Sequence, residues 1–333
     1  MYLTQRFCVV ALLTSLLVGF GGICHAADDD AKPALPDSWS KQIQSRSVGP
    51  ANMSGRITSI AVYEKDKNIW WAASASGGLL KTTNNGISFE HQFDKEATVS
   101  IGDVQVSKTD PNIVWVGTGE ANPRNSVSWG DGVYKSVDGG KTWKNMGLKK
   151  TFQTGRIAIH PEDHDTVYVG SLGRLWGPNE ERGLFKTTDG GKTWEKIFYV
   201  DDKTGVVDVQ MNPNAPDELL IATYERMRDG FDGNDPMTKY GAGSGIYKTI
   251  DGGKSFTRIS KGLPTCNLGR IGLCYYLKNP NFVAAIVESE NIAKQPKDAG
   301  YAGLRGENAD VGAKINQVVE DGPAAKALSL IHI

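Results

Sequence analysis

Short apolar runs separated by polar, glycine-rich turns recur along this chain. Gly132-Val-Tyr-Lys135, Gly183-Leu-Phe-Lys186 and Gly245-Ile-Tyr-Lys248 carry apolar and aromatic residues in the short-period pattern of a half-buried strand. Each run leads into a near-copy of one motif: Ser136-Val-Asp-Gly-Gly-Lys-Thr-Trp143, Thr187-Thr-Asp-Gly-Gly-Lys-Thr-Trp194 and Thr249-Ile-Asp-Gly-Gly-Lys-Ser-Phe256. A worn copy, Thr82-Thr-Asn-Asn-Gly-Ile-Ser-Phe89, lies upstream. Asp-Gly-Gly or Asn-Asn-Gly between apolar runs predicts a tight hairpin turn. Gly takes positive φ at no steric cost, and Asp or Asn bonds its own turn backbone. The Trp or Phe that follows is large enough to lock the hairpin onto its neighbour.

Two further strands precede each hairpin. The first opens on Gly: Gly55-Arg-Ile57, Gly102-Asp-Val104, Gly155-Arg-Ile157, Gly205-Val-Val207 and Gly269-Arg-Ile271. The second follows a polar turn: Ile69 to Ala72, Ile113 to Val116, Thr166 to Val169, Leu219 to Ala222 and Phe282 to Ala285. Four strands per unit, at intervals of roughly fifty residues, describe an all-β propeller with four-stranded blades. Residues 46–287 then hold blades at 55–101, 102–154, 155–204 and 205–268, with a partial fifth at 269–287. Four blades and part of a fifth do not close a ring and leave open edges. The chain is therefore expected to be an N-terminal fragment of a longer protein.

The repeated motif resembles the Asp-box or BNR repeat of β-propellers such as sialidases, some xyloglucanases and the luminal domain of sortilin. The whole pattern most resembles the large secreted bacterial BNR or "glycosyl hydrolase" repeat proteins. This resemblance implies an architecture and leaves the activity open. Asn84, Asp138, Asp189 and Asp251 are expected to be structural turn staples.

Both ends of the chain carry other signals. Arg6, the apolar run Phe7 to Gly22 and the small residues around Ala26 read as a signal peptide over 1–27, followed by a flexible leader over 28–45. A membrane anchor is the alternative, but the run is short for a span. The expectation is a secreted or periplasmic protein with no stable membrane insertion after cleavage. Gly300-Tyr-Ala-Gly-Leu304 with 312–327 resembles the start of a PDZ domain of the bacterial protease type. It implies a partial PDZ-like insertion over 288–327 that grips a peptide C-terminus through backbone N–H groups. An ordinary inter-strand insertion is the other reading. Residues 328–333 read as a non-native tail.

Composition agrees with an all-β protein: 39 Gly, 14 Pro and 8 Trp in 333 residues. A net charge of −1 gives no basic field for nucleic acid. Of four cysteines, Cys266 and Cys274 lie beyond the signal. Bridging them needs a sharp bend between them, and two free thiols is the simpler expectation.

Long loops on a rigid scaffold are the default place for a binding site. Here the loops between second and third strands vary: 119–131, 172–182 and 223–244. They carry Glu120, Asn122, Arg124 and Trp129; Arg174, Trp176, Glu180, Glu181 and Arg182; and Tyr224, Glu225, Arg226, Arg228, Asp229 and Asp232. Propeller topology places them at the end opposite the Asp-boxes, with Arg56, Arg156 and Arg270 near the axis. Arg forks suit carboxylate or sulfate groups, and aromatic faces suit sugars. The ligand-binding expectation therefore falls on Arg56, Arg156, Arg270, Asn122, Arg124, Arg174, Trp176 and Arg226. The axial arginines would equally serve as bridges to neighbouring blades. No cofactor or metal is called for; Asp229, Asp232 and Asp235 could hold Ca²⁺, though not at EF-hand spacing.

Two functions remain open. One is a non-catalytic scaffold that binds protein, peptide or glycan; the partial PDZ favours it. The other is a glycoside hydrolase or lyase of the sialidase or xyloglucanase type, for which Glu120 and Glu225 are the weak catalytic candidates.

Overall fold

The computed structural model describes residues 55–122, 127–228 and 236–291, together with the backbone of 304–308 and 313–318. Four antiparallel meanders of four strands follow one another. The first is β1 (Ile57–Val62), β2 (Trp70–Ser74), β3 (Leu79–Thr82) and β4 (Glu90–His91). The second is β5 (Ile101–Val106), β6 (Val114–Thr118), β7 (Val133–Ser136) and β8 (Lys144–Asn145). The third is β9 (Thr154–Ile159), β10 (Val167–Ser171), β11 (Gly183–Thr187) and β12 (Glu195–Phe198). The fourth is β13 (Thr204–Asn212), β14 (Ala215–Glu225), β15 (Gly245–Thr249) and β16 (Thr257–Ile259). A two-stranded sheet, β17 (Leu268–Tyr275) with β18 (Val283–Ser289), comes next. A hairpin of β19 (Leu304–Asn308) and β20 (Ala313–Val318) ends the described chain. The signal, the leader, the 328–333 tail and all of the PDZ-like segment but this hairpin and residues 288–291 lie outside the described residues. No helix among the described residues is long and apolar enough to cross a membrane.

First strands pack side by side from sheet to sheet: β1 against β5, β5 against β9, β9 against β13 and β13 against β17. The sheets are thus blades set around an axis lined by their first strands. Each seam between blades holds its own apolar core. Trp71, Leu79, Phe93, Val104 and Val116 fill the first, and Trp115, Val133, Ile157, Val167 and Val169 the second. Tyr168, Val206, Val209 and Ile221 fill the third, and Leu172, Tyr224, Ile246, Ile271 and Tyr275 the fourth. The outer faces of the first and fifth sheets have no described seam, and Ile60 and Ile286 stand 58% and 82% exposed there.

The motif turns close as their chemistry demands. Asp138 Oδ1 accepts hydrogen bonds from Ser136 Oγ at 2.8 Å and the Thr142 N–H at 2.9 Å, and Oδ2 accepts from Thr142 Oγ1 at 2.6 Å. Asp189 and Asp251 repeat this with Thr187 and Thr193, and with Thr249 and Ser255. Asn84 Oδ1 accepts from Thr82 Oγ1 and the Ser88 N–H in the same way, while its Nδ2 donates to Ser88 Oγ. Gly139 and Gly140 both take positive φ, at 72° and 93°, where a side chain would be strained. Burial opposes ionisation of Asp138, but bonds from Thr142 and Ser136 outweigh it and bring the carboxyl down to about 2. The Gly139 N–H also bonds Asn112 O in the turn between β5 and β6, which puts the box at that end of the blade.

The boxes also sew blades together. Trp143 Nε1–H bonds Gln92 O of the preceding blade at 2.8 Å, and Trp194 Nε1–H bonds Met146 O at 2.7 Å. Phe256 packs on Phe198 with ring centroids 4.8 Å apart. In the other direction, Lys81 Nζ donates to Gly139 O and Lys186 Nζ to Gly252 O, both at 2.8 Å.

Candidate functional site at the axial end

The end opposite the Asp-boxes carries the first residues of the inner strands and the loops after β2, β6, β10 and β14. Here the charged groups link different blades. Arg56 grips Glu120 with both prongs, Nε to Oε1 at 2.8 Å and Nη2 to Oε2. Asn122 Nδ2 donates to Glu120 Oε1 at 2.9 Å, and Arg270 Nη1 donates to Asn122 Oδ1 at 2.7 Å. A chain of side chains therefore runs from the first blade through the loop of the second to the fifth.

A second group lies beside it. Arg156 bridges two carboxylates, with Nη1 3.3 Å from Asp103 Oδ1 and Nε 3.3 Å from Asp208 Oδ1. Asp103 also accepts Ser59 Oγ at 2.5 Å and the Ile157 N–H at 2.7 Å. Asp208 accepts the Leu273 N–H at 2.8 Å and Gln210 Nε2 at 2.9 Å. Each aspartate thus holds a backbone N–H of the next blade. Burial pushes the Asp103 carboxyl above its usual range, against the pull of Arg156 and these hydrogen bonds. Its two carboxylates hold the Arg156 guanidinium above its usual value.

Thr58, Asn122, Arg156, Asp208 and Arg270 line a polar cleft of about 120 Å³ between these groups. Arg270 differs from the other two axial arginines. Among the described residues no carboxylate lies within ion-pair distance of its guanidinium, and burial lowers its pKa. Behind the Ala121–Asn122 wall sits Arg226, fully buried, with Nη1 3.3 Å from Ala121 O and Nη2 bonded to Gln153 Oε1. Among the described residues it has no carboxylate partner, and burial together with Arg182 brings its pKa down to about 9. Arg182 is also fully buried; it donates to Leu172 O and Arg174 O and is pushed down to about 10, chiefly by burial.

Of the residues singled out by sequence, Arg156, Arg270 and Asn122 line this cleft, and the Arg56–Glu120 pair joins it through Asn122. Arg226 supports its wall from behind and does not face solvent. Glu225 is held elsewhere, with Oε2 accepting the Gly243 N–H at 2.9 Å. Arg174 is exposed and bonds Pro178 O, while the Trp176 backbone bridges to Arg228. Trp129 stands 54% exposed on the loop after β6, edge-on to Phe152. Arg124, Asp229, Asp232 and Asp235 lie outside the described residues. No group of three metal-ligating side chains occurs among the described residues. Cys266 and Cys274 are free. Sequence reasoning did not single out Asp103, Asp208, Thr58 or Gln153. A signal existed for one of them: the residue after the opening Gly reads Arg56, Asp103 and Arg156 in successive blades, an alternation of charge.

Comparison with known proteins places these features in context. The family model Sortilin-Vps10 (sortilin, neurotensin receptor 3) matches residues 131–299, just over half of the chain. Xyloglucanase Xgh74A of Acetivibrio thermocellus is 22% identical over 254 residues, covering 70% of this chain and 28% of that protein. A xyloglucanase of a Paenibacillus species is 23% identical over 295 residues, covering 82% of this chain and 27% of its own length. The chain thus spans little more than a quarter of these relatives. Among solved structures, an ancestral GH74 enzyme superposes with a TM-score of 0.51 at 17% identity, over 67% of this chain and 26% of its own, a likeness of fold.

Proposed function

Starting from a chain that belongs to the Sortilin-Vps10 family, we propose that it forms the substrate-holding propeller of a secreted, polysaccharide-directed protein of the glycoside hydrolase type. The observation that carries this reading is the likeness to xyloglucanases over 70–82% of the chain. The axial end supports it: a polar cleft for hydroxyl and acidic groups, with an exposed Trp129 on one of its loops offering a face for sugar stacking. Xyloglucan is the first polysaccharide to test.

A second reading, capture without cleavage, is favoured by the state of Glu120. Glycoside hydrolysis needs one carboxyl able to give a proton and a second to act as base or nucleophile. Glu120 is buried, with both its oxygens held by Arg56 and one also by Asn122, which suits positioning better than reaching a glycosidic bond.

The deciding experiment incubates the full-length protein with xyloglucan and follows both retention on the polymer and release of reducing ends. Release that is lost in Glu120→Gln or Glu225→Gln supports hydrolysis. Retention without release supports capture. A protein that shows neither sinks both readings.

A further inference from the structure

The axial end holds more positive charge than its described carboxylates balance. Arg56 is matched by Glu120, and Arg156 by Asp103 and Asp208. Among the described residues, Arg270 has only the neutral Asn122 Oδ1 for its guanidinium. The nearest acidic groups are engaged: Asp208 serves Arg156 and the Leu273 N–H, and Glu288 is shared between the Arg270 N–H and Lys239. A second guanidinium with no carboxylate partner among the described residues, that of fully buried Arg226, backs the same wall through Ala121 O. Its Nε finds no acceptor, and neither does the buried Nε2 of Gln153 beside it. Two desolvated cations on either side of one peptide make the cleft between them a favourable place for an anion. The field acts over a short range in a shielded site, where water screens it least.

We infer that this cleft is the subsite for the carboxylate of an acidic sugar, with Arg270 as the ion-pairing group and Asn122 as the residue that orients it. The inference rests on the polysaccharide reading above and narrows its substrate class to uronate-bearing chains. Size agrees. The cleft of about 120 Å³ is somewhat smaller than the roughly 150 Å³ of an apolar cavity that accepts benzene. It takes a carboxylate and the adjoining edge of a pyranose ring. Arg270 keeps Nε and Nη2 available for a forked bond once Nη1 is committed to Asn122. Thr58 lies at the cleft for a sugar hydroxyl.

The test is affinity electrophoresis of the full chain through gels containing glucuronoxylan, the same polymer with its carboxyls reduced to alcohols, or neutral xyloglucan. Retention by glucuronoxylan at least tenfold stronger than by its reduced form is expected, and the gap shrinks with added salt. Arg270→Gln should erase the gap, bringing retention by native glucuronoxylan down to that by its reduced form. Arg270→Lys provides an independent variant, since it keeps the charge but loses the fork and should retain only part of the gap. Melting curves of both variants separate loss of binding from loss of fold. Equal retention by the native and reduced polymers overturns the inference and leaves the polysaccharide reading standing. Retention by none of the three removes that reading, and the inference with it. Competition by a peptide with a free C-terminal carboxylate, stronger than that by glucuronate, overturns the assignment to a sugar.

Discussion

The two ends of this propeller handle charge in opposite ways. At the Asp-box end each carboxylate is satisfied within its own turn: Asp138, Asp189 and Asp251 all bond hydroxyls and N–H groups two to four residues away. At the axial end the partners are far apart in sequence. Arg56 meets Glu120 across 64 residues, and Arg270 meets Asn122 across 148. Local satisfaction repeats from blade to blade because the motif repeats. Long-range satisfaction repeats only in part: Asp103 and Asp208 each hold an N–H of the next blade, while the Arg56–Glu120 and Arg270–Asn122 links are each built once. The end with the strongest repeat is therefore the end with the least to say about function.

Substitutions can break this contrast, and the largest effect is expected at the axis. Asp103→Ala strands half of Arg156 and leaves the Ile157 N–H without its acceptor. A loss of about 3 kcal/mol in urea unfolding is expected, the lower part of the range for removing one partner of a buried pair. A loss under about 1 kcal/mol would show that the axial network is decorative. Glu120→Gln keeps the shape but removes the charge under Arg56. About 2 kcal/mol should go, in line with a charged hydrogen bond.

Asp138→Ala comes next, at about 1 kcal/mol, because only its own turn loses partners and solvent can replace them. The same residue gives a pH signature. Its folded carboxyl titrates near 2 against an ordinary 3.8, so the unfolded chain takes up the proton first as pH falls. Its contribution is whole above about pH 4 and disappears on the way down to about pH 2. Asp189 and Asp251 are depressed in the same direction. Melting temperature should fall across that window, and less steeply in Asp138→Ala; identical slopes would remove the box from acid stability. Smallest of all is Arg174→Ala. It is exposed and bonds only a neighbouring carbonyl, so a change within about 0.5 kcal/mol is expected.

The same contrast explains what the sequence made legible. The strands after Gly132, Gly183 and Gly245 could be placed because turn chemistry and the two-residue period act within ten residues. The second strands, expected at Ile113 to Val116 and Thr166 to Val169, fall at β6 and β10 shifted by one residue or two. The Arg56–Glu120 clamp was legible only as two candidates on one face, since nothing local says that they meet. Arg226 was read as a ligand-facing loop residue, yet it is fully buried, because Ala121 O and Gln153 come from other blades to cover it. Asp208 was passed over because Gly205-Val-Val207 shows no charge after the glycine, and its role emerges only when β13 lies beside β9 and β17.

The latch between blades has a consequence for how such a protein changes over evolutionary time. Lys81 and Lys186 each reach forward to a glycine carbonyl in the next box, while Trp143 and Trp194 reach back to a carbonyl of the blade before. The seam between the first and second blades thus carries a donor and an acceptor on each side, Lys81 and Gln92 facing Trp143 and Gly139, like the two sides of a zip. A gene segment copied in tandem would carry both sides with it, and the new junction would match from the start. The number of blades can then drift by duplication, while axial links such as Arg56–Glu120 and Arg270–Asn122, which obey no such grammar, have to be composed afresh each time.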